Sequence, residues 1–164
     1  MPGLRAEIAA ALRRAGTVPE VGHLPCDLIT DGEAGEYMRR FYVRNPRRGP
    51  GARFHRIIAS DPGPWLHDHP WDNVSVLLCG SYDEITPGGV RHWEAPCVIE
   101  RRAELPHRLI VAAGEPVWTY FLTGPFRRRW GFHTEAGWRW HREVPTAAVV
   151  RPCAAPAPQV YDRW

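Results

Sequence analysis

His67-Asp68-His69 sets two imidazoles one residue apart, just ahead of the apolar run Val74-Ser75-Val76-Leu77-Leu78. Alternate side chains of a β-strand share a face, so this spacing predicts two histidines side by side. Imidazole is the commonest metal-ligating side chain, and two on one rigid strand form a bidentate site. A third stands at His107, which follows Pro106 and opens the apolar stretch Arg108-Leu109-Ile110-Val111. Three imidazoles leave the other positions of a divalent ion to water or substrate, the pattern of a catalytic rather than a structural centre. Asp72 is a candidate fourth ligand, and Asp68 is expected to turn away from the metal into a turn or a role behind the ligands.

Further groups carry chemistry around this set. Glu84 shares strand parity with Tyr82 and Val76, which brings a carboxylate toward the barrel mouth as a candidate general base. His55, beside Arg56, reads as a hydrogen-bonded structural histidine, and His133 as a candidate substrate contact. Most of the eight tryptophans are expected in the core or at an interface, since indole brings a large apolar area with a single donor.

The elements that must position these residues follow from periodicity. Leu4, Ile8, Ala11 and Leu12 lie on one stripe of an alanine-rich segment that Gly16 stops, an amphipathic helix expected to pack over one end of a β-core. Prolines and glycines dominate 17–35, leaving one short extended piece at 26–29. Strands are predicted at 37–44, 52–59, 74–86, 90–94, 97–102, 107–112, 116–123, 128–133 and 137–141, separated by Pro and Gly turn signals. Many short, closely spaced strands mean an all-β sandwich or barrel. The division is therefore 1–35 as helix and loop on the barrel, 36–143 as the barrel, and 144–164 as a Pro/Ala-rich extension running over the surface.

Composition narrows the function classes. A chain of 164 residues with 44% hydrophobic and 24% charged residues is one globular domain. All 21 basic residues are arginine, which excludes lysine Schiff-base and lysine–phosphate chemistry from this chain. With a net charge of +3, the arginine clusters at 39–40, 47–48, 101–102 and 127–129 read as solvated faces rather than a nucleic-acid interface. Cys26, Cys79, Cys97 and Cys153 show no metal-type spacing and are expected as thiols of a cytoplasmic protein. No stretch approaches the roughly 20 apolar residues of a membrane span. The arginine-bearing strand at 36–44 needs its edge covered, which a homodimer would do.

His67-x-His69, Gly80 at the end of the following strand, and Pro106-His107 together resemble the two metal-binding motifs of the cupin superfamily. The resemblance covers about residues 36–142 and implies a double-stranded β-helix (jelly-roll) barrel with the short N-terminal helix outside it. Where many cupins place a glutamate after the histidine pair, this chain has Asn73. Within the superfamily the order and spacing are most similar to thiol dioxygenases of the cysteine dioxygenase type. That likeness implies iron(II) on His67, His69 and His107, and a substrate-carboxylate arginine among Arg39, Arg40 and Arg44, with Arg39 the first candidate. In the strand after the third ligand, where that family carries a histidine and then a tyrosine, this chain has Tyr120 and Leu122; Tyr120 is the candidate catalytic residue there.

The expected function is a metal-dependent enzyme acting on a small molecule, an iron(II) oxygenase of a thiol or amino-acid-like compound. Zinc, nickel or manganese fit the same ligands, so a non-redox isomerase or lyase is the alternative; a ligand-binding module without catalysis is the third reading. A 2-oxoglutarate-dependent hydroxylase ranks below these, because its His-x-Asp/Glu set would need the acid one place later than Asp68.

Overall fold

In the computed structural model of the protein, described for residues 2–31, 35–45, 49–114, 116–145 and 148–153, one helix and thirteen strands follow one another along the chain. The helix is α1 (Pro2–Leu12), and the strands are β1 (Cys26–Asp31), β2 (Glu36–Arg44), β3 (Ala52–Ile57), β4 (Leu66–His67), β5 (Asn73–Cys79), β6 (Ser81–Thr86) and β7 (Gly89–Glu94). They continue with β8 (Cys97–Arg101), β9 (Arg108–Ile110), β10 (Val117–Thr123), β11 (Gly131–Thr134), β12 (Gly137–Trp140) and β13 (Ala148–Pro152). No helix among the described residues is long and apolar enough to cross a membrane.

Seven strands form one antiparallel sheet in the order β13-β1-β2-β3-β10-β5-β8. Two smaller sheets, β12-β11-β4 and β7-β6-β9, meet where His67 and His107 pair as an isolated antiparallel bridge. The backbone bonds of that bridge run both ways, His67 N to His107 O at 2.8 Å and His107 N to His67 O at 2.9 Å. The small sheets thus form a second face beside the large one, giving the jelly-roll barrel that the cupin resemblance implies, within the sandwich-or-barrel class expected from the strand pattern.

Strand parity divides the core. Val76 and Leu78 of β5 and Trp118, Tyr120 and Leu122 of β10 face α1, where Ile8, Ala11 and Leu12 pack on them. Leu77 and Val117 face the barrel interior with Ile29, Tyr37, Met38, Ile57, Tyr82 and Ile99. Every residue of β10 is buried, so this central strand contributes to both layers.

Several expectations change in detail. The strand predicted over 74–86 breaks into β5 and β6 at Gly80, which adopts φ +80° and where a Cβ would stand 3.2 Å from Val117 Cα. A side chain there would meet both backbone strain and the next strand. β2 is not an edge: β1 and β3 flank it, so the chain itself covers the strand whose exposure pointed to a dimer. Part of the expected C-terminal extension, β13, pairs with β1 and extends the large sheet; the Pro/Ala segment from residue 154 onward lies outside the described residues, as do Arg47 and Arg48.

The cysteine expectation is corrected at one pair. Cys26 and Cys153 form a disulfide, with Cα atoms 5.3 Å apart across a sequence separation of 127 residues. No local spacing signals it, because the partners meet only when β13 pairs with β1. Cys79 and Cys97 are free.

Candidate metal centre

The three histidines converge from two stretches of the barrel segment, the end of β4 and the residue before β9. β4 is only two residues long, so His67 and His69 do not sit on one continuous strand as the spacing predicts. His67 is held by its bridge to His107, while His69 lies just past the strand end with its N–H donated to Ala103 O at 3.0 Å. One ring nitrogen from each of His67, His69 and His107 nevertheless lies within 4.8 Å of the others. The ring of His67 stands 5.2 Å from that of His69 and 4.8 Å from that of His107.

The closest approach is His69 Nε2 to His107 Nε2 at 2.8 Å. His107 Nδ1 donates to Glu84 Oε1 at 2.7 Å, so its Nδ1 carries the proton and its Nε2 presents a lone pair to His69. Two nitrogens bound to one cation at about 2.1 Å and near a right angle would be about 3 Å apart, close to the spacing here. The donor set therefore fits a divalent metal, and the group is able to hold one.

Burial sets the protonation of these ligands. The His67 imidazole is pushed down to about 4 by burial, against the pull of Asp61. His69 lies well below the usual histidine range, again through burial, with His107 and His67 adding to it. Both rings are thus neutral and available as ligands at neutral pH.

Glu84 is not at the rim. It is buried, 4% exposed, and takes three hydrogen bonds: His107 Nδ1, Arg101 Nε at 2.6 Å, and Trp93 Nε1 at 2.7 Å. Burial alone would raise its carboxyl, but the bonds from His107 and Arg101 and the Arg101 charge overcome this and hold it at about 2. A carboxylate so fully engaged is no free base; it orients His107.

The other expected site residues fall elsewhere. Asp72 points to the surface, where it accepts from Ala103 N at 2.8 Å and Arg127 Nη1 at 2.6 Å, away from the histidines. It staples the loop ahead of β5 to the turn after β8. Asn73, buried with neither amide atom partnered, lies at the start of β5 outside the cavity lining. Arg39 is paired with Glu36 at 2.7 Å and Arg44 with Glu7 at 2.5 Å, both outside the cavity: Arg39 has the opposite strand parity to Arg40, and the register shift between Tyr42 and Arg44 takes Arg44 off the face that Arg40 shares. Tyr120 lies on the helix side of β10, its ring 4.9 Å from Phe54, opposite the interior-facing Thr119 and Phe121.

Asp68, as its parity predicts, turns behind the ligands. It is 1% exposed and accepts from Gly131 N at 2.7 Å, Trp138 Nε1 at 2.9 Å and Arg128 Nη1 at 2.5 Å. His133 stands 3.4 Å from the same carboxylate and so serves this cluster. Gly131 is required in it, since a Cβ would collide with the Arg139 carbonyl. The remaining arginines are largely accounted for by partners: Arg101 by Glu84, Arg102 by Asp72 at 3.5 Å, and Arg129 by the Trp140 ring at 4.8 Å.

The three histidines open into a cavity of about 200 Å³ inside the barrel. Trp71, Phe121 and Trp130 form aromatic walls, and Arg40, Arg53 and His55 line it from β2 and β3. Arg53 was not singled out by the sequence, although it shares the parity of His55, and reading His55 as inward-facing would have found it. The Arg53 guanidinium is lowered to about 9 by burial and by Arg40, and it stays cationic at neutral pH.

No family model matches the sequence, and no curated protein matches it significantly. Solved structures share its fold. A cupin-2 domain protein from Rhodospirillum rubrum (Rru_A2000) is 13% identical with a TM-score of 0.57, covering 75% of this chain and 83% of that one. The polyketide cyclase RemF from Streptomyces resistomycificus is 12% identical with a TM-score of 0.55, covering 70% and 82%. Iron(II) HppE is 12% identical with a TM-score of 0.52, covering 66% of this chain and 60% of that chain. These likenesses fix the fold as the cupin double-stranded β-helix.

Proposed function

We propose that the chain is a metal-dependent enzyme acting on a small molecule, with iron(II) on His67, His69 and His107 and an oxygenase activity. The observation that carries this reading is a three-imidazole group, with no carboxylate in it among the described residues, opening into a cavity of about 200 Å³. Iron held by three neutral imidazoles keeps its full positive charge and supplies a redox-active Lewis acid with positions left for substrate. The likeness in fold to iron(II) HppE supports the choice of metal.

This chain's own residues have definable tasks. Glu84 fixes the tautomer and ring plane of His107. Trp71, Phe121 and Trp130 keep the cavity apolar around the histidines and restrict water beside them. The substrate class expected from the sequence, a thiol or amino-acid-like compound, is retained as the first set to assay.

The test is metal analysis of the native protein, then anaerobic iron(II) loading and measurement of oxygen uptake with cysteine and other small thiols and amino acids. Substrate-dependent uptake that is lost in His107→Ala is expected. Iron bound equally by His107→Ala, or no uptake with any such compound, overturns the reading. A second reading, Lewis-acid chemistry without redox change, is favoured by the fold likeness to the cyclase RemF; activity with zinc in place of iron would select it.

A further inference from the structure

A larger hollow, of about 780 Å³, lies outside the barrel, between α1, the segment 17–24 and the outer face of the large sheet. Ala10, Leu24, Val43, Phe54 and Leu78 line it with apolar surface. Two backbone bonds pin the ends of the 17–24 segment to the sheet: Gly16 N donates to Leu78 O at 2.8 Å, and Tyr42 N donates to Pro25 O at 2.8 Å. The groove is therefore built into the fold. Val18 and Val43, both in its lining, are 64% and 43% exposed, so apolar side chains face solvent along one groove.

The path of the chain leads to this groove. β13 runs antiparallel to β1, from Ala148 opposite Asp31 to Pro152 opposite Asp27, and so heads toward the start of β1 and the 17–24 segment before it. Cys153 then donates its N–H to Cys26 O at 2.9 Å and is bonded to Cys26 through sulfur. Cys26 stands opposite Phe41, which packs in the core layer on the α1 side of the sheet. Directly opposed strand residues share a face, so the disulfide lies on the groove side. The chain thus passes Cys153 two residues from the Leu24 wall of the groove, and residues 154–164 follow outside the described residues.

The composition of that segment matches the groove. Ala154-Ala155-Pro156-Ala157-Pro158 is followed by Gln159-Val160-Tyr161-Asp162-Arg163-Trp164. At about 3.3 Å per residue the stretch from Ala154 to Pro158 reaches about 16 Å, the length of the eleven-residue α1. Val160, Tyr161 and Trp164 then supply large apolar side chains within reach of the apolar lining, and tyrosine and tryptophan are the usual anchors of such contacts. Asp162 and Arg163 offer one charge of each sign. Arg14 and Glu20, in the groove lining, offer the complement, and neither has an ion-pair partner among the described residues. Pro156 and Pro158 limit the chain entropy lost on docking.

We propose that the groove between α1, segment 17–24 and the large sheet is the docking site of this chain's own residues 154–164, with Val160, Tyr161 and Trp164 as its apolar anchors and the Cys26–Cys153 disulfide as its tether. The inference is independent of the reading of the histidines as a metal centre.

The experiment compares the full-length protein with its full-length variant Val160→Ser/Tyr161→Ser/Trp164→Ser, by hydrogen exchange and by binding of a synthetic peptide of residues 154–164. A segment tethered beside its site acts at an effective concentration of about 1 mM, so an affinity of about 0.1 mM keeps it docked about ten to one. Amides of α1 and of 17–24 therefore exchange up to about tenfold faster in the triple variant. The peptide binds the triple variant with a Kd of about 0.1 mM or tighter, and binds wild type, whose groove is filled, about tenfold more weakly. Val43→Asp, added to the triple variant, weakens peptide binding by about tenfold or more. Val90→Asp, 67% exposed on β7, leaves it unchanged. Unchanged exchange, absence of peptide binding, or equal weakening by Val90→Asp each overturns the inference. Protection in wild type that rises with protein concentration, with a dimer in sedimentation that Val43→Asp dissolves, overturns it in favour of a second copy. Should Val43→Asp fail to fold, Val18→Asp in the same lining decides the question.

Discussion

His107 and Glu84 are joined by a 2.7 Å hydrogen bond from Nδ1 to Oε1, and the same oxygen receives Arg101 Nε at 2.6 Å. The carboxylate therefore does two things at once: it fixes the imidazole and neutralises a guanidinium whose side chain is 3% exposed. Glu84→Gln separates these. Metal affinity falls about 10- to 100-fold because the acceptor behind the ligand is weakened. Stability falls by about 3–5 kcal/mol because Arg101 is left as a buried unpaired charge. Metal titration and urea denaturation measure the two effects, and Glu84→Gln/Arg101→Met recovers part of the stability without recovering metal affinity.

Among single histidine variants, His67→Ala, His69→Ala and His107→Ala are each expected to lose bound metal, measured by elemental analysis after loading and desalting. His133→Ala, whose ring serves the Asp68 carboxylate at 3.4 Å, keeps it. Retention of full metal content by any of the first three would remove that residue from the centre.

The two aspartates beside the pair differ in consequence. Asp68→Ala orphans Gly131 N and Trp138 Nε1 in a buried cluster, at about 1–3 kcal/mol each, and loosens the strand that carries His67. Both stability and metal affinity drop. Asp72→Ala removes exposed ion pairs and one bond to Ala103 N, costing about 1 kcal/mol with metal content unchanged. Thermal denaturation and metal titration of the two variants check the contrast.

His55 makes stability depend on pH. Burial first, then Arg53 and Arg40, hold its imidazole well below 6.5 in the folded state. Below about 6.5 the unfolded chain takes a proton there that the folded chain refuses, so the contribution is complete above that pH and lost as pH falls. In metal-free protein, urea midpoints drop between pH 7.5 and 5.5. His55→Gln reduces that dependence by up to about 1.4 kcal/mol per pH unit. An unchanged slope would show that the ring is protonated or solvated in the fold.

The Cys26–Cys153 disulfide closes a loop spanning 127 residues of separation. Thiol titration in denaturant without reductant is expected to count two cysteines, Cys79 and Cys97, and four after reduction. Cys153→Ser lowers stability by about 2–4 kcal/mol, since the unfolded chain regains the freedom that the cross-link removes.

The sequence by itself determined what depends on local chemistry and parity. The β-barrel follows from short alternating strands, the group of three imidazoles that could hold a metal from histidines flanked by strand signals, and the turn of Asp68 away from that group from its place between His67 and His69. The N-terminal helix is legible in Leu4, Ile8, Ala11 and Leu12, three of which pack on β5 and β10.

Only the tertiary structure decided the rest, because it depends on which strands become neighbours and on where each strand's parity begins. Arg39 and Arg40 are adjacent in sequence, yet only Arg40 enters the cavity, since β2 pairs so that Arg40 stands opposite His55. Tyr120 misses the site by the same one-residue parity, behind Thr119 and Phe121 on β10. Glu84, read locally as a rim base, is drawn inward because β8 and β9 bring Arg101 and His107 to it, and two donors with one positive charge stabilise a buried carboxylate that neither alone would hold. Asp72, next to the ligands in sequence, is instead captured by Arg127 from a segment 55 residues away. Each of these outcomes is a long-range pairing whose energy no local window contains.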